Sequence, residues 1–393
     1  MMEIVESRIV FKWIAALVWA FWMLAMSTAE GQKMSHDHSK MSMEERRSVQ
    51  KMWEKEDDTP LPEYIPTYSS TYDRVKERGY VICGTNDEFP GFSQETWSNQ
   101  EGKLWKGFDV DICRAVAIAV FGDVENIEFT IVNGKTRFEY LIDGSIDILS
   151  AATTYTYTRN VYKKLEFMPT TYYDGQGFIV RKTLGVSSAK QMEGARICFS
   201  ETGTAAKNIK DFFKKHFIKY IPVPVPPTEK TKDVYKRGDC DMYGTDRSGL
   251  ASNRLSFSDP ERHLILPEII SKEPLGPVVK YGDQKWSDIV RWSIYVLFIA
   301  EEMGLNSKNI DNYKNNIDPN IQRFMGELNG KDHPHLGSKL GLDETWSYDI
   351  IKLVGNYEEI YERNIGVNTP LGLKRGLNRL YTHGGLLYAP PLK

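Results

Sequence analysis

Short apolar segments alternate with helix-like segments in the first half of the chain. Residues 80–84, 127–132 and 145–149 have the composition of buried strands, and residues 107–117 and 137–142 between them have the pattern of helices. Strands that alternate with helices indicate a parallel sheet with helical crossovers. The predicted fold class is therefore α/β.

A run of small and hydroxyl-bearing residues, 150–158, follows the third of these strands and ends at Arg159. The planar guanidinium of arginine matches a carboxylate better than any other side chain does. Such a loop at the carboxyl end of a sheet strand suits a small anion at a topological switch point. The alternative is a surface turn with a solvated arginine.

The same order of elements repeats in the middle of the chain. A predicted strand at 195–199 leads through the turn 202–204 into a helix, and such a turn directs backbone N–H groups at an anion. Alternating prolines in 220–227 predict an edge segment. Asp246 follows another predicted strand, where an acid can either meet an ammonium group or cap a helix.

The length of 393 residues allows two domains. The net charge of −3 provides no basic field for nucleic acid, so no nucleic-acid partner is predicted.

The amino end has its own pattern. Arg8 and Lys12 precede the apolar run 13–26, and small residues follow at 27–29. This arrangement predicts a secretory signal peptide over residues 1–29 and export to the periplasm across a bacterial inner membrane. A retained membrane anchor is the alternative, although the run is shorter than the about 20 apolar residues that a span requires.

Residues 30–71 are charged and contain prolines, which predicts a solvated tether. Methionines and histidines are dense in 34–43, and such side chains could bind a soft cation such as Cu(I). The simpler interpretation is a polar arm. No metal-binding residue and no cofactor are predicted.

The chain has four cysteines. An even number in an oxidising compartment indicates disulfides, with three possible connectivities. Chain order favours Cys83–Cys113 and Cys198–Cys240, and four buried free thiols are the alternative.

Over about residues 72–392, the order of longer motifs resembles one family. It is similar to the polar amino-acid solute-binding proteins of ABC importers (family 3 extracellular solute-binding proteins), in particular their general L-amino-acid-binding subgroup. The segments that carry the resemblance are 107–111 (GFDVD), 172–178 (YYDGQGF), 245–250 (TDRSGL), 267–277 (PEIISKEPLGP) and 384–391 (GGLLYAPP).

The resemblance implies a two-lobed periplasmic-binding-protein (type II) fold with a helical C-terminal extension. Lobe 1 would comprise residues 72–173 and 275–393, and lobe 2 residues 174–274. Two crossing strands would join the lobes and let them close on a ligand.

The resemblance also implies a function. A monomer would capture an L-amino acid between its lobes and deliver it to an inner-membrane ABC permease. Arg159 would hold the ligand's α-carboxylate with help from Thr154 and Thr204. Asp246 would hold its α-ammonium group, and Phe89 and Tyr155 would meet its side chain.

Three other functions stay open. Cyclohexadienyl and arogenate dehydratases use the same fold, and Glu88 is the acid that such an enzyme would need. A sensory binding protein would report to a chemoreceptor, and a metal-handling protein would use the segment 34–43. The identity of the amino acid also stays open, because 151–152 and 205–207 depart from the pattern of the subgroup.

Overall fold

The computed structural model describes residues 70–98, 102–328 and 335–393. The predicted signal peptide 1–29, nearly all of the predicted tether 30–71 and the segment 34–43 lie outside the described residues. Among the described residues, no helix has both the length and the apolar composition that crossing a membrane requires.

Short strands form two central sheets, a crossing pair and a small hairpin sheet. In chain order they are β1 (Val81–Thr85), β2 (Glu88–Phe89), β3 (Ser93–Ser98), β4 (Gly102–Lys106), β5 (Ile127–Ile131), β6 (Ile148–Leu149), β7 (Leu165–Phe167), β8 (Tyr172–Asp174), β9 (Gln176–Arg181), β10 (Arg196–Ser200), β11 (Ile221–Val225), β12 (Met242–Asp246), β13 (His263–Ile265), β14 (Glu273–Leu275) and β15 (Val278–Lys280).

The helices cover both central sheets and then continue to the carboxyl end. In chain order they are α1 (Thr71–Arg78), α2 (Phe108–Phe121), α3 (Arg137–Asp143), α4 (Ala205–Lys215), α5 (Thr231–Arg237), α6 (Arg247–Leu255), α7 (Gln284–Glu302), α8 (Pro319–Met325), α9 (Leu336–Leu340), α10 (Trp346–Leu353) and α11 (Tyr357–Asn364).

The first sheet has the strand order β5-β1-β6-β15-β7. β1 pairs in parallel with β5 and β6, as the strand–helix alternation predicts, and β15 joins in the antiparallel sense. The predicted strand 145–149 is regular only at Ile148 and Leu149, which are fully buried. The loop 150–158 nevertheless begins at the carboxyl end of this central strand.

The second sheet has the strand order β11-β10-β12-β9-β13. β11 contains Pro222 and Pro224 and pairs only with β10, so the predicted edge position is confirmed. The placement follows from proline chemistry, because a residue without an N–H group cannot donate to a strand on each side.

The crossing pair connects the two sheets. β8 leaves the first sheet and β14 returns to it, and the two strands pair antiparallel with Glu273 opposite Asp174. Two carboxylates are thereby placed at the junction between the halves of the molecule.

Both predicted cysteine pairs are joined in the structure. Cys83–Cys113 connects β1 to α2, with Cα atoms 6.3 Å apart, and Cys198–Cys240 connects β10 to the residues just before β12, with Cα atoms 5.7 Å apart. Each disulfide stays within the structure around one central sheet, so neither restrains the crossing strands.

The C-terminal helices enlarge the core of the first half. Apolar residues of α7, α10 and α11 share one buried cluster with those of α2. Asp111 of α2 accepts hydrogen bonds from Arg363 at 2.8 Å and Asn364 at 2.7 Å, which attaches α11 to it. The apolar residues in 371–381 recur at helical spacing, but only a single turn forms there, at Gly376–Asn378, and Gly372 and Gly376 take φ values of 61° and 49°.

Candidate functional site

A cavity of about 330 Å³ lies between the two central sheets. Its wall on the side of the first sheet includes Phe89, Arg137 and Ala152, and its opposite wall includes Tyr243 and Asp246. The volume falls within the usual range for a small-molecule pocket, about 300–1,000 Å³. Residues from both halves of the molecule would therefore touch the same ligand.

Arg159 is buried near the cavity without lining it: it shares the ring of Phe138 with Arg137, which does line the cavity. It lies in a single π-helical turn, Thr158–Tyr162, and is only 7% exposed. The one hydrogen bond that its guanidinium makes to a described residue goes to the carbonyl oxygen of Thr154, at 2.7 Å. Burial lowers the pKa of Arg159, and the carboxylates of Glu273 and Asp246 partly oppose this shift. The remaining donors are available for an anion.

Asp246 is the last residue of β12 and lines the cavity from the side of the second sheet. Burial raises the pKa of its carboxyl well above the usual range, and the neighbouring acids Asp174 and Glu273 raise it further. A hydrogen bond from Gln176 and the charge of Arg159 act in the opposite direction. An ammonium group placed here would relieve the repulsion among the three acids.

Glu273 is an acid of this region that the sequence reasoning missed. It is 1% exposed and accepts hydrogen bonds from Ser271 at 2.6 Å and Asn208 at 2.9 Å. Thr204 donates to it at 3.3 Å and accepts from Gln176 at 2.7 Å. The Thr204 hydroxyl, expected to face the ligand carboxylate, is therefore engaged by protein groups here, and its role in binding stays a prediction.

The structure separates the remaining three predicted contacts. Phe89 lines the cavity and stacks on Phe92 with a centroid distance of 4.5 Å. Thr154 is buried, bridges to Leu275 and supports Arg159 through its carbonyl oxygen. Tyr155 is 45% exposed and does not line the cavity, because its ring stacks on Phe167 at 4.6 Å.

Asp109 shapes the loop beside Arg159. It lies in the first turn of α2 but does not cap the helix, because Gly107 occupies the cap position and no side chain caps this helix. The carboxylate of Asp109 accepts instead from the N–H of Ala152 at 3.0 Å and from the Ser150 hydroxyl at 3.3 Å. Ala152 has a φ of 44°, which is unfavourable for a residue with a Cβ, so Asp109 stabilises a strained part of the cavity wall.

Arg137 is a second guanidinium at the cavity, and the sequence reasoning did not assign it a role. It is the first residue of α3, and the turn before it is fixed by Asn133, which accepts from the N–H groups of Lys135 and Thr136 at 2.8 and 3.1 Å. Burial, together with the positive charge of Arg159, lowers the pKa of Arg137 to about 9, against the opposing charge of Asp246. A lone arginine at the start of a predicted helix was the only signal in the sequence.

Three polar contacts close the mouth of the cavity. Glu88 of β2 forms ion pairs with Lys230 at 2.7 Å and Lys232 at 3.1 Å, which flank the start of α5. Ser252 of α6 donates to the carbonyl oxygen of Pro90 at 3.0 Å. These contacts join the two halves of the molecule.

The profile of the bacterial extracellular solute-binding proteins, family 3, matches residues 81–324. The chain belongs to this family. It is 47% identical over 325 residues to the general L-amino acid-binding periplasmic protein AapJ of Rhizobium johnstonii, covering 83% of this chain and 93% of the relative. It is 44% identical over 326 residues to the glutamate/glutamine/aspartate/asparagine-binding protein BztA of Rhodobacter capsulatus, covering 83% and 94%.

A solved structure is similar to this family-3 protein in both sequence and fold. The ABC transporter periplasmic binding protein from Brucella ovis with glutathione bound matches with a TM-score of 0.79 at 42% identity, covering 83% of this chain and 100% of that chain. The predicted two-lobed fold with C-terminal helices is thereby confirmed. The residue boundaries given for the two lobes stay a prediction.

Proposed function

We propose that this protein captures L-amino acids between its two lobes and delivers them to an ABC importer. One observation carries the proposal: the buried guanidinium of Arg159 on one lobe and the partly buried carboxylate of Asp246 on the other lie close enough to shift each other's pKa, and Asp246 lines the cavity between them. A zwitterion loses its hydration when it is enclosed, and fixed charges of both signs are needed to recover that loss. An α-amino acid supplies both complementary charges on one carbon atom.

The division of the two charges between lobes explains how binding would cause closure. A ligand shifts an open–closed equilibrium only when it binds one state better than the other. The closed arrangement alone brings Arg159 and Asp246 to one ligand. The names of the relatives AapJ and BztA, both of which state amino-acid binding, support the same ligand class.

Location and assembly are part of the proposal. The signal-like segment 1–29 and the periplasmic relative AapJ support a periplasmic protein. The protein would act as a monomer that docks on an inner-membrane permease complex. Residues 30–71 would then serve as a tether before the first lobe.

An enzyme on this fold is the second candidate that the sequence left open. Its acid, Glu88, is bound by Lys230 and Lys232 in the structure, and these charges lower the pKa of Glu88. A general acid needs the opposite shift to hold a proton at neutral pH. Incubation with prephenate or arogenate decides the question, and we expect no loss of either compound.

A thermal-unfolding screen of the oxidised mature protein tests the proposal. The panel contains the twenty L-amino acids, with their D-enantiomers as matched controls and with glutathione added because of the Brucella ovis complex. At a hundredfold excess over its Kd, a ligand stabilises the folded state by about 2.7 kcal/mol. We expect one or more L-amino acids to raise the melting temperature, and a panel without any shift would contradict the proposal.

A further inference from the structure

Arg137 has a donor without a partner. Its Nε atom is buried, and no described residue accepts a hydrogen bond from it. A buried donor left unpaired costs free energy, so such groups in native proteins usually have a ligand, a water molecule or an ion as partner. The cavity that Arg137 lines is the space from which this partner can come.

Arg137 and Arg159 lie on the same aromatic ring. The guanidinium carbon of Arg137 is 4.8 Å from the centroid of Phe138, and that of Arg159 is 5.4 Å from it. Burial lowers the pKa of Arg137, and the charge of the nearby Arg159 lowers it further. Neighbouring like charges in a buried site are unfavourable until an anion compensates them. One carboxylate from an α-amino acid would compensate only one of the two.

We propose that Arg137 binds a second carboxylate, carried by the side chain of the amino acid whose α-carboxylate Arg159 holds. The preferred ligands would then be acidic L-amino acids. This inference rests on the proposed function, because it requires an α-amino acid held between Arg159 and Asp246. Arginine suits the role since its planar donors bind a carboxylate in a bidentate manner.

The position of Arg137 fits a contact to the side chain. It lines the same cavity as Asp246, where the ligand's ammonium group would lie, and as Phe89, on the first loop. Asn86 and Asn253 add amide groups to the cavity wall. A neutral amide side chain could therefore still be accommodated, while a carboxylate gains the unpaired guanidinium.

The rival interpretation is that Arg137 and Arg159 share the α-carboxylate. Pairs of acidic ligands and their amides separate the two roles, because L-glutamate and L-glutamine differ in one group at the end of the side chain. L-Aspartate and L-asparagine repeat the comparison with a side chain one methylene shorter. A residue that touches the α-carboxylate affects both members of a pair equally.

Calorimetric titration of these four ligands into the oxidised mature protein and its variants is the test. The parent should bind its better acidic ligand at least about tenfold more tightly than the matching amide. Arg137→Gln should weaken the acidic ligand by about thirtyfold or more and change the amide by less than about threefold. Arg137→Lys, which keeps the charge and loses the planar donors, should recover part of the loss.

Lys135→Gln is the matched control. It removes one positive charge from an exposed position two residues away, and both affinities should stay unchanged. Thermal unfolding without ligand confirms that each variant is folded.

Several outcomes would overturn the inference. Equal losses for acid and amide in Arg137→Gln would assign Arg137 to the α-carboxylate, and unchanged affinities would leave it without a binding role. A parent that prefers the amide contradicts the inference without any variant. If the parent binds other L-amino acids but none of these four, the inference falls and the proposed function stands. If no L-amino acid binds, both fall.

Discussion

At the scale of single residues, the protonation of Asp109 in the cavity wall makes the stability of the protein depend on pH. Burial raises the pKa of its carboxyl to about 7 from an ordinary value of 3.8, although hydrogen bonds from Ala152 and Ser150 favour the charged form. Between these two values the folded protein holds a proton that the unfolded chain has lost. Stability that is present below pH 4 is therefore lost as the pH rises through 7.

Asp109→Asn removes this titration and keeps an oxygen that can accept from the N–H of Ala152. We expect the free energy of unfolding of the parent, minus that of the variant, to fall by about 2–4 kcal/mol between pH 4 and pH 7. Urea unfolding at several pH values measures this difference. A difference that stays constant or rises with pH would show that Asp109 is ionised throughout.

Residue chemistry also explains which parts of the site the sequence could predict. Arg159 and Asp246 were predicted because each follows a strand in a longer motif; Asp246 lines the cavity, and Arg159 lies close enough to affect its pKa. Glu273 was missed because the segment 267–277 was used only for the family resemblance, and no local pattern in it marks this acid as a site residue. Its importance arises from the pairing of β14 with β8, which is a tertiary contact. Tyr155 was placed by motif alone, and its stacking on Phe167 could not be foreseen.

At the scale of elements, β2 and the start of α5 form a contact across the mouth of the cavity. Glu88 provides the carboxylate, and Lys230 and Lys232 provide the cations. Glu88 and Lys230 are about half exposed, and Lys232 is more buried. An exposed ion pair stabilises by about 0.2–1 kcal/mol. We expect the contact to form only when the lobes are closed, so that its energy adds to the lifetime of the bound state.

Glu88→Gln should weaken ligand binding by about two- to tenfold, mainly through faster release. The difference from the parent should shrink in about 1 M salt, because exposed charges are screened. Stopped-flow release of the ligand measures the rate. The control is Glu95→Gln, which breaks an ion pair of 3.1 Å with Lys103 inside the β3–β4 hairpin. Equal effects of the two substitutions would contradict a role for the mouth contact.

Elements with one strong local signal were predicted from the sequence. The alternating prolines of 220–227 predicted an edge segment, and β11 lies at the edge of the second sheet. The segment 371–381 has apolar residues at helical spacing, but the glycines at 372 and 376 take left-handed conformations. The chain there packs as a loop on the first lobe, and that packing outweighs the local pattern.

At the scale of the whole molecule, the proposed binding mode divides the two charges of the site between the lobes. The first lobe provides the cation for one end of the ligand, and the second lobe provides the anion for the other end. The disulfides lie within the lobes and leave the crossing strands β8 and β14 free to bend. Closure is then driven by the ligand rather than by a permanent contact between the lobes.

Calorimetric titration of the best L-amino acid into Arg159→Ala tests this division most directly. The control is Arg262→Ala, which removes an arginine whose side chain is 75% exposed on the second lobe. We predict that Arg159→Ala loses about 2–5 kcal/mol of binding free energy, about thirtyfold to several thousandfold in Kd, for every α-amino acid tested. The control should bind like the parent. If Arg159→Ala also binds its ligand as tightly as the parent, the carboxylate is held elsewhere and the assignment of the site is wrong.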